Sequence, residues 1–113
     1  MVWSKSIQLS VAVYTLTRSF PAEERFGLSS QIRRSAVSVA SNIAEGAGRG
    51  STREFVRFLR IARGSLVELE TQLEIARRCG MIGSYDSAEE LATAVGQMLS
   101  ALLRSLSRKN RHF

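Results

Sequence analysis

The chain has 113 residues, a net charge of +6 and an apolar fraction of 44%, which is the composition of one small globular domain. No segment approaches the roughly 18 uninterrupted apolar residues of a membrane span, so we expect no transmembrane helix and no membrane partner. The single cysteine, Cys79, excludes an internal disulfide, and we interpret it as a small packing residue in a cytoplasmic protein.

Arginine dominates the basic residues, accounting for fourteen of the sixteen. Because arginine forms bidentate contacts with phosphate and stacks on bases, this preference is typical of a surface that binds nucleic acid. A GC-rich genome, which favours arginine codons, explains the same bias without any function. Composition alone therefore leaves both explanations open.

The first helix is predicted over about residues 4–19, before Pro21. Its apolar residues form two stripes, which are about 200° apart around the helix axis. One stripe contains Ile7, Val11 and Tyr14, and the other contains Leu9, Val13, Leu16 and Phe20. A four-helix monomer has no further element to cover the second stripe, so we expect self-association to bury it.

The second helix is predicted over about residues 28–45, with a core stripe of Ile32, Ala36, Val39 and Ile43. We expect Gly46 to end this helix and to begin a glycine-rich loop that reaches Thr52. The loop lacks the lysine of a P-loop and follows a helix, whereas a P-loop follows a strand. We therefore interpret it as a turn between helices.

The third helix is predicted over about residues 52–79. Ser51 and Glu54 have the spacing of a capping box at its start, and Gly80 is suited to close its end. The apolar positions alternate steps of four and three residues, as in a coiled coil. They are Phe55, Leu59, Ala62, Leu66, Leu69, Leu73 and Ala76.

The fourth helix is predicted over about residues 87–107, with Ser87 and Glu90 as a second possible capping box and residues 108–113 as a frayed basic tail. Its main stripe contains Leu91, Val95, Met98, Leu102 and Leu106, and Leu99 and Leu103 widen it. Four helices with short connections predict an all-α, antiparallel up-and-down four-helix bundle that forms one domain over residues 1–113.

The sequence offers no catalytic constellation. Its only histidine, His112, lies in the predicted tail, whereas nucleophilic catalysis requires a positioned imidazole. No group of residues has the spacing of a metal site. We therefore expect a protein that is not an enzyme and that requires neither a metal nor a cofactor.

Polar and charged residues also occur among the packing positions of the second and third helices. They are Asn42, Glu45, Arg63, Ser65 and Glu68. Half-buried charged groups require partners, so these residues are predicted to form a hydrogen-bonded clamp between the two helices. A ligand site is the alternative interpretation.

A basic stripe is predicted on the third helix, on the face opposite its apolar seam. It consists of Arg53, Arg57 and Arg60, extended by Arg49 in the loop and by Arg33 and Arg34 on the second helix. The stripe shows no interspersed acidic partners, and we predict that it binds RNA or DNA, with RNA preferred. The alternative is a structural or adaptor oligomer that binds an unidentified protein, in which case the basic surface has no specific ligand.

Four sequence blocks resemble one known family. They are FPAEERFGL at 20–28, QIRRSA at 31–36, SNIAEG at 41–46 and FLRIARGS at 58–65. These blocks are similar to the bacterial four-helix-bundle family, also called the 23S rRNA intervening-sequence or S23 family. The resemblance implies a bundle that assembles as a ring-like homopentamer, and it implies no particular activity. Ala40 stands where many relatives have proline, so the second helix is expected to be less kinked here.

Overall fold

The computed structural model describes residues 1–24 and 26–110. Four helices account for most of this part of the chain: α1 (Val2–Thr17), α2 (Leu28–Ala47), α3 (Thr52–Arg78) and α4 (Asp86–Asn110). A short 3-10 turn at Ala22–Glu24 lies between α1 and α2, and the described residues contain no strand. The chain is all-α, as the sequence predicts.

Each helix packs against two others in the described part of the chain, so that α1, α2, α3 and α4 follow one another around the bundle. The α2–α3 interface is the most extensive. The bundle measures 52 × 22 × 19 Å, an elongated shape that follows from helices of up to 27 residues lying side by side. This arrangement matches the predicted up-and-down four-helix bundle.

The predicted seams of α2 and α3 form the core. Ile32, Ala36, Val39 and Ile43 are buried on α2, and all the seam residues of α3 except the half-buried Phe55 are buried opposite them. On α4 the predicted stripe is rotated, because Leu91, Met98, Leu102 and Leu106 are only partly buried. The buried face of α4 instead contains Ala88, Ala92, Val95, Leu99 and Leu103.

The ends of α3 follow the predicted signals. The Ser51 hydroxyl accepts a hydrogen bond from the Glu54 backbone N–H at 3.2 Å, which caps the first turn. Gly80 has a φ of +77°, and the backbone N–H of Met81 donates to the carbonyl of Ala76, as in a Schellman motif. Cys79 is exposed at this end of the helix, so its interpretation as a packing residue is wrong.

Other predicted boundaries differ from the structure. Helix α1 begins and ends two residues earlier than predicted. Helix α2 continues through Gly46 to Ala47, and Gly48 is its C-cap. Helix α4 begins one residue before the proposed N-cap Ser87, and it continues to Asn110, into the predicted basic tail. The rest of that tail, with His112, lies outside the described residues. Ala40 is buried within an uninterrupted α2.

One face of α1 is apolar and exposed. Leu9 and Val13 are buried in the bundle, whereas the side chains on the opposite side of the helix are 40–62% exposed. These exposed side chains are Trp3, Ile7, Val11 and Tyr14. Phe26 and the exposed Val37 of α2 line the same groove as Tyr14, so the apolar surface continues onto α2. We call this surface the α1 face.

Candidate nucleic-acid interface

Arg53, Arg57 and Arg60 lie at i, i+4 and i+7 in the first turns of α3, so they project from one side of the helix. The prediction that this stripe has no acidic partner is wrong. The Arg57 guanidinium donates from Nε to Glu54 Oε2 at 2.9 Å and from Nη2 to Oε1 at 3.3 Å. This hydrogen bonding from Arg57 lowers the pKa of Glu54 below its usual value, so the carboxylate is ionised and offsets one charge of the stripe.

Phe58 connects Arg49 to the stripe. The guanidinium carbons of Arg49 and Arg57 lie 4.9 and 4.5 Å from the centre of its ring, within the range of a cation–π contact. The Phe58 side chain itself is buried, and Arg49 also forms an ion pair with Glu45 at 3.2 Å. Arg49 is thus fixed beside the stripe, but a neighbouring carboxylate balances its charge.

Among the side chains that the structure describes, Arg53 and Arg60 are the arginines of the stripe that form no ion pair. Arg53 nevertheless lies close enough to Glu54 to help lower the pKa of its carboxyl group. The two arginines line a cleft between α3 and α4 together with Glu54, Val56, Arg57, Ile61 and Ser107. We call this the stripe cleft. Three of its residues, Arg53, Arg57 and Arg60, are among those that the sequence predicts to contact phosphate.

A second cleft continues from the first along the α3–α4 interface and shares Arg60 and Ser107 with it. Four arginines line this four-arginine cleft: Arg60 and Arg63 from α3, and Arg104 and Arg108 from α4. The basic surface predicted from the sequence does not include these arginines of α4. The signal is the i, i+4, i+7, i+8 spacing of Ser100, Arg104, Ser107 and Arg108, which places all four on one face of a helix.

Arg33 and Arg34 do not join this surface. Arg33 Nε donates to the Thr17 hydroxyl at 2.8 Å, and the guanidinium lies over the ring of Tyr14. Arg34 lines grooves beside α2. The stripe lies at the start of α3, which packs against Gly46, and Arg34 is about 18 Å from Gly46 along α2. The prediction that these two arginines extend the stripe is therefore wrong.

Hydroxyl and amide groups join α2 to α3. The hydroxyls of Ser38 and Ser65 lie 2.8 Å apart, and Asn42 Nδ2 donates to the Ser38 hydroxyl at 3.0 Å and to the Ser38 carbonyl at 2.8 Å. Further along, the Ser35 hydroxyl donates to Gln72 Oε1 at 2.9 Å. Asn42 and Ser65 thus belong to a polar contact between the helices, as predicted. The residues that join them in this contact are uncharged, whereas the prediction included charged residues.

Two of the three charged members of the predicted clamp, Glu45 and Arg63, lie elsewhere. Glu45 binds Arg49, and Arg63 lines the four-arginine cleft on the α4 side of α3. Glu68 lines the groove between α2 and α3 together with Ser35, Ser38 and Ser65, so it lies beside the polar contact, but it is exposed. Uncharged groups form the buried part of the contact, where an ionised side chain would lose its hydration.

Known proteins resemble this chain in sequence and in fold. A family model described as "23S rRNA-intervening sequence protein" matches residues 1–101. The chain is also similar to a crystal structure from Bacteroides thetaiotaomicron of a protein with unknown function from the S23 ribosomal protein family. The two share 28% identity with a TM-score of 0.80, and the match covers 91% of this chain and 98% of that one. No curated protein matches. The chain therefore belongs to the 23S rRNA-intervening sequence protein family.

Proposed function

We propose that this chain is a homo-oligomeric protein without enzymatic activity that binds nucleic acid, with RNA preferred, through the arginines of α3. The observation that carries the proposal is the pair Arg53 and Arg60, which line one cleft without an ion-pair partner among the described side chains. The family description names a ribosomal RNA sequence but no activity. The functional argument therefore rests on the charge and geometry of the surface.

Phosphate is the ligand class that this surface suits best. A guanidinium presents two parallel N–H donors that match two phosphate oxygens, and it is always charged. Arg57 supports this role because Glu54 and the Phe58 ring hold its guanidinium in place between Arg53 and Arg60. No aromatic side chain lines the stripe cleft in the described residues, so binding should tolerate different sequences.

A binding titration at about 0.15 M salt with labelled structured RNA and duplex DNA tests the proposal. The Arg53→Gln/Arg60→Gln variant removes two unpaired charges and leaves the Glu54–Arg57 pair intact. The Arg18→Gln/Arg78→Gln variant is the control, because it changes net charge equally at the opposite end of the bundle. We expect the first variant to lose affinity and the control to resemble wild type. Absence of binding by folded wild-type protein would contradict the proposal.

Self-association is proposed to use the α1 face. Its four exposed side chains lie at i, i+4, i+8 and i+11, a continuous apolar surface of the kind that proteins bury in an interface. A homopentamer has five times the chain mass of 12.5 kDa, which light scattering measures directly. Ile7→Glu/Val11→Glu should reduce that mass to one chain while the helical circular dichroism persists. A monomeric wild-type protein would contradict this part of the proposal.

An adaptor that binds another protein is the second candidate function. The observation in its favour is the same apolar surface, where the Phe26 side chain is 88% exposed. The two candidates differ in one measurable respect. An adaptor whose arginines have no specific ligand should show no affinity for nucleic acid near 0.15 M salt, whereas the proposed RNA-binding protein should bind.

A further inference from the structure

The four-arginine cleft concentrates positive charge more strongly than the stripe that the sequence predicts. Its lining consists of Arg60, Arg63, Arg104 and Arg108 with Ser100, Leu103 and Ser107, and no carboxylate among the described residues lines it. None of the four guanidiniums has an ion-pair partner among the described side chains. Two helices thus direct like charges into one cleft of about 450 Å³.

At the opposite end of α3, the arginines are paired with a carboxylate. Arg77 and Arg78 both bind the Glu74 carboxylate, at 2.6 and 2.8 Å. Like charges that share a cleft repel one another, and this cost is recovered when an anion binds between them. The serine hydroxyls of Ser100 and Ser107 add donors of the kind that contact phosphate oxygens. The cleft is therefore suited to an anion that carries several charges.

The positions of the aromatic side chains indicate which form of nucleic acid fits. Trp3, Tyr14 and Phe26 are exposed, but they lie on α1 or between α1 and α2. Phe58 is buried, with two guanidiniums over its ring, and the nearby Phe55 is half-buried against the core. Single strands are held largely by stacking their bases on aromatic rings, whereas a duplex presents its phosphates with its bases already stacked.

We propose that the four-arginine cleft and the stripe cleft together hold the phosphate backbone of base-paired nucleic acid, with Arg104 and Arg108 as contacts equal in importance to those on α3. This inference rests on the proposed function. From Arg53 to Arg63 the helix rises about 15 Å, which is the length of duplex axis over which one strand carries about four phosphates. Binding is independent of sequence and strongly dependent on salt.

The test is a titration of a short RNA duplex, the matching DNA duplex and their separate strands at about 0.15 M salt. It compares wild type with Arg104→Gln/Arg108→Gln and with the charge-matched Arg18→Gln/Arg78→Gln control. Non-specific binding through roughly six to ten phosphate contacts has a Kd of about 10⁻⁴–10⁻⁶ M at physiological salt. If the contacts contribute about equally, the loss of two should raise the Kd for the duplex about tenfold. Circular dichroism and oligomer mass establish that each variant keeps its fold and assembly.

The possible outcomes distinguish a failure of this inference from a failure of the proposed function on which it rests. The expected result is a loss of duplex binding in Arg104→Gln/Arg108→Gln, little change in the control, and weaker binding of single strands by wild type. Normal duplex binding by this variant, together with a loss in Arg53→Gln/Arg60→Gln, overturns the inference and leaves the proposed function standing. Equal affinity for single strands and duplexes overturns the base-paired specificity. No binding by wild type overturns both.

Discussion

Gly46 of α2 lies against Phe58 of α3, and no side chain fits between them. A Cβ atom built on Gly46 would lie 2.7 Å from the Phe58 Cβ and 3.1 Å from a ring carbon of Phe55. The Phe58 Cβ is attached directly to the α3 backbone, so it has no freedom to move aside. The glycine therefore sets the distance between the two helices and places Phe58 beneath Arg49 and Arg57.

Gly46→Ala should destabilise the bundle. The added methyl group forces α2 and α3 apart, and overpacking of this kind costs about 1–3 kcal/mol. The gain in helix propensity offsets roughly 0.5–1 kcal/mol of that cost. We therefore expect a net loss of about 1–2 kcal/mol in the free energy of unfolding, measured by urea denaturation. Unchanged or increased stability would show that the two helices do not approach as closely as the structure has them.

Gly64→Ala should have the opposite effect, and it serves as the matched control. Gly64 lies in the middle of α3, and a Cβ built on it meets nothing within 4 Å. The substitution adds no clash and reduces the conformational entropy of the unfolded chain, so it should stabilise the protein by about 0.5–1 kcal/mol. A destabilised variant would indicate that another surface occupies this space in the assembled protein.

These glycines show how far periodicity predicts the fold. The seams of α2 and α3 and the cap at Ser51 follow from spacing and local chemistry, and the structure confirms them. Gly46 was expected to end α2 because glycine often closes helices. The structure instead requires glycine there because a neighbouring helix passes close by. Sequence spacing does not reveal that approach, since it depends on how two distant segments pack.

Ser38 and Ser65 should be energetically coupled. Their hydroxyls share one hydrogen bond between α2 and α3, in which Ser65 is 92% buried. Each Ser→Ala change leaves the other hydroxyl without that partner, at a cost of about 1 kcal/mol. The double variant should lose less stability than the sum of the two single variants, by about 0.5–1.5 kcal/mol in a double-mutant cycle. Additive losses would mean that the two hydroxyls do not interact in solution.

Acid should weaken the connection between α3 and α4. The Glu74 carboxylate accepts hydrogen bonds from Arg77, Arg78 and the Tyr85 hydroxyl, and these bonds hold its pKa well below the usual value, with Arg77 contributing most. Because the folded pKa is the lower one, the ionised carboxylate stabilises the folded state above the unfolded pKa. This contribution is lost as pH falls through about 5 and below.

Urea denaturation between neutral and acidic pH measures this contribution of Glu74. The Glu74→Gln variant should be less stable than wild type at neutral pH. The difference should shrink as the pH falls below the unfolded pKa, because the unfolded chain then binds a proton that the folded carboxylate does not. A Glu23→Gln variant, at an exposed residue in the turn before α2, is the control. A difference between wild type and Glu74→Gln that stays constant with pH would contradict the assignment.

The site was less predictable than the fold, for two physical reasons. Glu54 has the spacing of a capping-box acid, but its carboxylate binds Arg57 one turn later, and both arrangements are compatible with the same sequence. The contribution of Arg104 depends on which face of α4 meets α3. The buried face of α4 includes the small residues Ala88 and Ala92. The larger Leu91, Met98 and Leu102 are only partly buried, so an apolar stripe drawn through them predicts the wrong face.

The salt dependence of duplex binding tests the central claim most directly. For wild type and for Arg53→Gln/Arg60→Gln, the logarithm of the binding constant is plotted against the logarithm of the salt concentration. Each lost phosphate contact on a duplex reduces the steepness of that line by about 0.9. We predict a steep line for wild type and a slope shallower by about 1.8 for the variant. Identical slopes, or no duplex binding at all, would contradict the account.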